Sequence, residues 1–419
     1  MEQEHFSILY PQAAGIDCGS RENVVAIGQH KEKDVKRFGT FTAQLHELCA
    51  WLKQNGITHA AIESTGSYWQ VLYFMLYDYD ITPFLAQPAH VKNPTNSKTD
   101  PRDARWLQKL MSCGLLNNSF QPDATTEQLR TLMRQRKRIV QLKSRASNKM
   151  NRMLVLMNIR IDQVQSRSNS LGALRIIESI IKGERSATVL CKLFYNTGKS
   201  ISSTEQRLLS LEGTWNEQYI FVLQQELEHY RFCEQQLAKL DARMIAMIEE
   251  QMQNKRAENP DLKCYQPTML KQLQANDIKL QASPVIYTLS GGVDLGAIWG
   301  VGNNLMFTLL SEVGLDLQRK FKTEKQFVSW LHLCPNNKVS GGKILSRKTR
   351  HYHNALKTAF RDAANTMSKS KNQLGEFFRK IQRRKGHHLA VTATAHKLAV
   401  IVYKMLSNKQ PFNEIRALA

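Results

Sequence analysis

Four acidic residues in the first quarter of the chain have the types and the spacing of a metal site. Asp17 closes the apolar run AAGID, Glu63 closes HAAIE, and Asp100 and Asp103 follow three residues apart in TDPRDARW. The first two stand where strands end, and the second pair stands where a helix begins. Carboxylates gathered at one place repel one another unless a cation neutralises them. Hard oxygen donors of this kind suit Mg²⁺. Two such ions about 4 Å apart activate an attacking oxygen and stabilise a leaving one, so the chemistry predicted is metal-assisted phosphoryl transfer. The remainder of the chain indicates the substrate class. Its 419 residues hold 58 Lys and Arg against 36 Asp and Glu, a formal net charge of +22. That excess points to a polyanionic partner, nucleic acid ahead of a membrane surface.

The elements that must place these acids read as mixed α/β structure over residues 13 to about 113. AGIDC, ENVVAIGQ and DVKRFGTF read as three strands in a meander. TAQLHELCAWLKQNG reads as a helix, with Leu45, Leu48 and Leu52 at helical spacing and Gly56 as its stop. THAAIES is the next strand, Ser67 to Tyr79 a helix and ITPFLA a further strand, and another helix starts at Thr99. Three strands followed by alternating helix and strand is the order of an RNase H-like (RuvC-like) domain. In that arrangement the first strand and a later one lie side by side, each presents a carboxylate, and a following helix brings the rest. Asp100 and Asp103 share one helix face. Taken alone, Asp100 precedes Pro101 and reads as a helix cap. Taken together, the four acids read as one site.

The length allows two or three domains with a sizeable core. A hydrophobic content of 42% argues for packed domains rather than a disordered basic tail. Seven cysteines are scattered without a CxxC pair, so neither a zinc module nor a disulfide framework is signalled, and reduced thiols in a cytosol are expected. The opening MEQEHFSILYPQ lacks the pattern of a secretory signal. No apolar run approaches the roughly 20 residues that span a bilayer. These features predict a cytoplasmic, nucleoid-associated protein with no membrane partner.

From Arg130 a basic run carries Arg130, Arg134, Arg136, Lys137, Arg138, Lys143, Arg145, Lys149 and Arg152 with no acid between them. Apolar Leu132, Ile139, Leu142 and Leu154 recur among them, which predicts an amphipathic helix with a cationic face. Charge of one sign favours a phosphate backbone over a solvated face, and such contacts position a polymer without reading it. A second long helix is expected over TWNEQYIF to EEQM, with Leu223, Leu227, Tyr230, Leu237, Leu240, Met244 and Met247 at three- and four-residue steps. The two could form an antiparallel coiled coil, a dimer stalk or an ordinary hairpin. The stretch from Gln253 through QASP reads as linker with a short helix. Further on, Gly300-Val301-Gly302 before an apolar helix fits either a phosphate-binding helix–hairpin–helix or a packing corner. The loop NNKVSGGK then sets Ser340 beside two glycines, with Lys338, Lys343, Arg347, Lys348 and Arg350 around it. That setting suits a serine attacking a phosphodiester while cations hold its oxygens, and it equally suits a Gly-rich surface turn.

AGIDCGSRENVVAIG, AAIESTGSYW and TDPRDARWL resemble the N-terminal signature of the DEDD-motif insertion-sequence transposases, also called bridge-RNA-guided recombinases. LCP followed by SGGK and a basic stretch resembles the C-terminal domain of the same family. The resemblance implies a coiled-coil insertion between the two, and a serine nucleophile that joins covalently to DNA, here Ser340. It further implies assembly as dimers or tetramers and guidance by a structured RNA. Val339 stands before the serine where many relatives have a polar residue, and HYHN follows where relatives often have a Gly-Asn turn.

The resulting expectation is an α/β plus all-α chain: an RNase H-like domain over 1–115, a helical coiled-coil region with linker over 116–284, and a mainly helical transposase domain over 285–419. Asp17, Glu63, Asp100 and Asp103 would hold Mg²⁺. Arg130, Arg134, Arg138, Arg145, Lys343, Arg347, Lys348 and Arg350 would contact nucleic acid. The activity expected is cutting and rejoining DNA of an insertion sequence. The rivals are a RuvC-like junction nuclease that uses water, and a non-catalytic nucleic-acid-binding protein that keeps the fold.

Overall fold

Strands β1 (Ala13–Cys18), β2 (Glu22–Ile27), β3 (Val35–Gly39), β4 (His59–Glu63) and β5 (Thr82–Ala86) pair in the order 3-2-1-4-5. The first three form an antiparallel meander, whereas β4 and β5 join parallel to β1. This is the expected mixed sheet of RNase H-like order. The coordinates are a computed structural model, and they describe residues 7–28, 34–63, 66–87, 91, 99–165, 170–194, 202–266, 273, 276–335, 337–346, 349 and 354–412. The chain divides into two compact units, Met1–Ala124 and Thr125–Ala419.

In the first unit, alternation along the strands sorts side chains between two faces. Ala14, Ile16, Cys18, Ala60 and Ile62 pack against Leu45, Leu48 and Leu52 of α1 (Thr42–Gln54) and Leu72 and Leu76 of α2 (Trp69–Asp78). Ala13, Ala61 and Ala86 pack on the other face against Leu107 and Met111 of α3 (Asp100–Ser112). The alanines on that face let α3 come close. Gly15 lets it come closer still, because a Cβ there would overlap the Ala104 carbonyl oxygen and the Gln108 backbone nitrogen.

The second unit is helical. α4 (Ala124–Leu156) and α6 (Glu217–Glu258) pack side by side, with α5 (Leu171–Ile181) closing a shared core. Arg136 meets Asp241, Lys143 meets Glu234, and Lys149 meets Glu226. Each step forward on α4 meets a step backward on α6, so the pair is antiparallel and lies within one chain. Ile139, Cys233 and Leu237 form part of the apolar seam.

α7 (Ala282–Ser290) starts on the last three residues of the expected linker and runs into the expected C-terminal domain; Pro284 sits in its first turn and Gly291, at φ 75°, ends it. Beyond it lie α8 (Asn303–Val313), α9 (Glu324–Trp330), the hairpin β6 (Lys338–Ser340) and β7 (Lys343–Ser346), α10 (Ala355–Thr366), α11 (Gln373–Lys385) and α12 (His387–Asn408). Phe307, Phe327, Phe360 and Phe378 fill this part of the core. α12 is long and apolar enough to cross a membrane by length and composition, which corrects the expectation that no run reaches that length. The interspersed Thr, His and Lys residues mask the run in the sequence. Within its most apolar window 67% is buried, the condition of a core helix.

Gly300, at φ 78°, would bring a Cβ into Met367 and the Ala363 carbonyl of α10. The glycine before α8 therefore serves close helix packing.

Candidate carboxylate and serine sites

Asp17 and Glu63 share the sheet face covered by α3. Asp17 pairs across the antiparallel ladder with Val24, and Val24 packs on Ala104 of α3. Glu63 pairs across the parallel ladder with Ala86, which packs with Leu107 and Met111. Cross-strand partners lie on one face, so both carboxylates do too. They are also level with each other. Ile16 pairs with Ile62, and each acid follows one residue later at the C-terminal end of its strand.

The direction of α3 brings the other pair to the same edge. Leu9 and Tyr10, just ahead of β1, donate their backbone N–H groups to the Ser112 carbonyl at the end of α3, at 2.8 and 3.0 Å. Gly15 lies against the middle of the helix. α3 thus runs antiparallel to β1, and its first turn lies toward Asp17. Asp100 and Asp103 occupy that turn. They precede buried Ala104 and Leu107 by one turn each, so they belong to the sheet-facing side. The cap position itself is held by Thr99, not by Asp100. Asp100 is the first helical residue, which leaves its side chain to other duties. Cys18 packs into the core on the opposite face, toward α1 and α2. Burial, then the charge of Asp17, pushes its thiol up to about 12.

Four oxygen donors on one edge fit a divalent cation in kind and number. Among the described residues, no three His, Cys, Asp or Glu side chains converge closely enough to hold an ion. The fold brings the acids to one face and one edge, and goes no further.

Ser340 ends β6 and pairs with Lys343 across a two-residue turn, Gly341-Gly342, at φ 55° and 74°. Two adjacent residues of positive φ are what a tight hairpin of matching twist requires. A Cβ on either glycine would meet nothing within 4 Å, and Ser340 and Lys343 are both exposed. The expected loop is therefore a projecting hairpin with the serine at its tip. KVS-GG-KILS was the overlooked signal. Arg347, Lys348 and Arg350, and the histidines at 351 and 353, lie outside the described residues.

The α4 arginines divide into two groups. Arg130 is buried and donates to the Glu312 carbonyl at 2.5 Å and to Glu127 at 2.8 Å. Arg134 grips both oxygens of the Glu312 carboxylate, at 3.0 and 2.9 Å. Burial pulls the Arg130 guanidinium below its usual range, opposed by Glu312 and Glu127. Arg130 and Arg134 are thus tied to α8 from within the chain. The acid-free run hid this because the neutralising acids lie far away in sequence. Arg138 and Arg145 are exposed, seven residues apart on one face, with Arg152 continuing the row. Removing the carboxylate that joins α4 to α8 tests the cluster. Glu312→Ala leaves Arg130 buried with half its counter-charge and should cost about 3–5 kcal/mol. The expected readout is a lower urea midpoint with unchanged slope; a loss under about 1 kcal/mol would show the cluster to be dispensable.

A family profile for a DEDD transposase of IS110 type matches residues 14–159, which contain all four acids. A second profile, described as the transposase IS116/IS110/IS902 family, matches residues 294–379, which contain Ser340. No curated protein matches the chain. The family implies a DNA substrate and dependence on a divalent metal. Acids, serine and fold order fall in the segments the two profiles cover, and the chain belongs to the IS110-type family of transposases, enzymes that cut and recombine DNA.

Proposed function

We propose that this transposase cuts DNA through a covalent serine intermediate, with Mg²⁺ held by Asp17, Glu63, Asp100 and Asp103. The observation that carries the reading is the shared face and shared edge of those acids. Mg²⁺ bound there would lower the energy of charge developing on phosphate oxygens. The chain's own residues do the rest. The Ser340 hydroxyl gives up its proton and its oxygen attacks the scissile phosphorus. A phosphoserine ester forms, the bond from phosphorus to one sugar oxygen breaks, and that oxygen leaves protonated. Attack by a sugar hydroxyl of another strand reverses the step and releases Ser340, so no external energy source is needed. Lys343, across the turn, neutralises the phosphate, and Arg138 and Arg145 hold the backbone. We further propose that a structured RNA guides target choice and that the working form is a dimer or tetramer, a reading supported by the resemblance of the N- and C-terminal motifs. The test uses the purified chain with a transcript of the non-coding sequence beside its coding region and a DNA duplex carrying the element's end. With Mg²⁺, a denaturing gel should show cut DNA and a strand shifted by the mass of the chain. Chelation with EDTA should remove both. Cutting with no adduct would favour the junction nuclease, and cutting in EDTA would refute the metal site.

A further inference from the structure

The end of α11 and the start of α12 form an exposed corner whose charge no ion pair among the described residues balances. Lys380, Arg383, Arg384 and Lys385 are exposed, as are His387 and His388 across Gly386. No acid occurs between Glu376 and Glu414. The ion pairs among the described residues engage other cations. On α4, by contrast, Arg136, Lys143 and Lys149 each meet an acid of α6. Arg379 is the one α11 arginine with a structural role, donating to the Ser368 and Ser370 carbonyls. The nearest acid on α10, Asp362, already faces Lys137 and Arg361. Arg361 in turn donates to Thr392 at 3.1 Å and lies 3.4 Å from His388, which extends the positive field onto α10. A helix end attracts cations in its last turn. That accounts for Lys385 and its neighbours but not for Lys380, a turn and a half earlier.

We infer that this corner is a second docking surface, and that its occupant is the sugar-phosphate backbone of duplex DNA. A dense one-sign patch fits a polyanion. Recognition of unpaired RNA leans on exposed rings that stack on bases. The corner exposes no Phe, Tyr or Trp, only the two histidine rings: Phe378 is buried, and Phe377 is half-buried under Lys397. An amphipathic surface for lipid needs an apolar face, and only Leu389 is exposed there. Lys380, Arg383, Arg384 and Lys385 all suit phosphate oxygens, and contacts of that kind grip a backbone without regard to sequence. The inference uses the family's DNA substrate and does not depend on the carboxylate or serine chemistry.

The test is the salt dependence of binding by the full chain, measured by fluorescence anisotropy in EDTA on a duplex of arbitrary sequence and on an RNA hairpin. K380Q/R383Q/R384Q/K385Q should lower the log–log salt slope on DNA by about 3 to 4, since each neutralised phosphate contributes about 0.9. Circular dichroism checks the fold, and if the fourfold variant does not fold, K380Q/R384Q should lower the slope by about 1.8. Because the assay runs in EDTA and reads binding rather than cutting, a failed carboxylate site leaves this result readable. A variant slope on DNA equal to the parent's would overturn the proposal, as would a change confined to the RNA hairpin.

Discussion

A Ser340→Ala chain is expected to fold and bind DNA as the parent does, yet to leave no protein on any DNA end. The serine stands at the tip of an exposed two-stranded hairpin, and the turn beside it is glycine on both positions. Losing one hydroxyl there removes no packing, so stability should change by less than about 0.5 kcal/mol. Chemistry should change completely. Without the Ser340 oxygen no phosphoserine ester forms, and the energy of the broken phosphodiester is not retained for rejoining. Both the adduct and recombination should vanish together on a denaturing gel and in a strand-exchange assay. Continued strand cutting at the parental rate would mean that water is the nucleophile, and would leave the carboxylates as the whole active site.

Asp17→Asn is expected to slow cleavage by at least roughly a thousandfold, about 4 kcal/mol of lost transition-state stabilisation. The change keeps the size of the side chain and removes its charge and half its metal-ligating capacity. β1 is buried on both sides of Asp17, by Ile16 and Cys18, and the substitution leaves that packing intact. Duplex affinity in EDTA should be unchanged, which separates lost chemistry from lost binding. Glu63→Gln, level with it on β4, should behave alike. Cleavage within about tenfold of the parent, little more than 1.4 kcal/mol, would exclude Asp17 from the chemistry.

The N-terminal half of this architecture was legible because its signals are local. Asp17 and Glu63 each close an apolar run, and strand alternation fixes the face they share, while Asp100 and Asp103 open a helix one turn apart. The pairing of α4 with α6 was legible as two helical repeats, although the sequence left open whether the partner lay in the same chain. What escaped the sequence depends on contacts between distant segments. Arg130 and Arg134 look like members of a uniform cationic face until Glu312, far along the chain, takes both. The hairpin around Ser340 escaped because three- and four-residue strands carry too little alternation to stand out. The start of α7 fell in the expected linker because Pro284 marked the linker's end, and proline is harmless in a first helical turn.

Gly15 has a consequence for how this protein tolerates mutation. Strand β1 and helix α3 meet there backbone to backbone, with no side chain as spacer. The distance from Asp17 to the first turn of α3 is therefore set by main-chain contact. The apolar side chains behind the sheet, on α1 and α2, support it from the opposite face. Over many generations those residues are free to exchange size and shape with one another while the four acids keep their relative positions. The same freedom does not extend to Gly15, where even a methyl group would lever the helix, with its two aspartates, away from the strand. Random mutagenesis scored for transposition should thus find a permissive sheet face and an intolerant one, with the boundary running through β1.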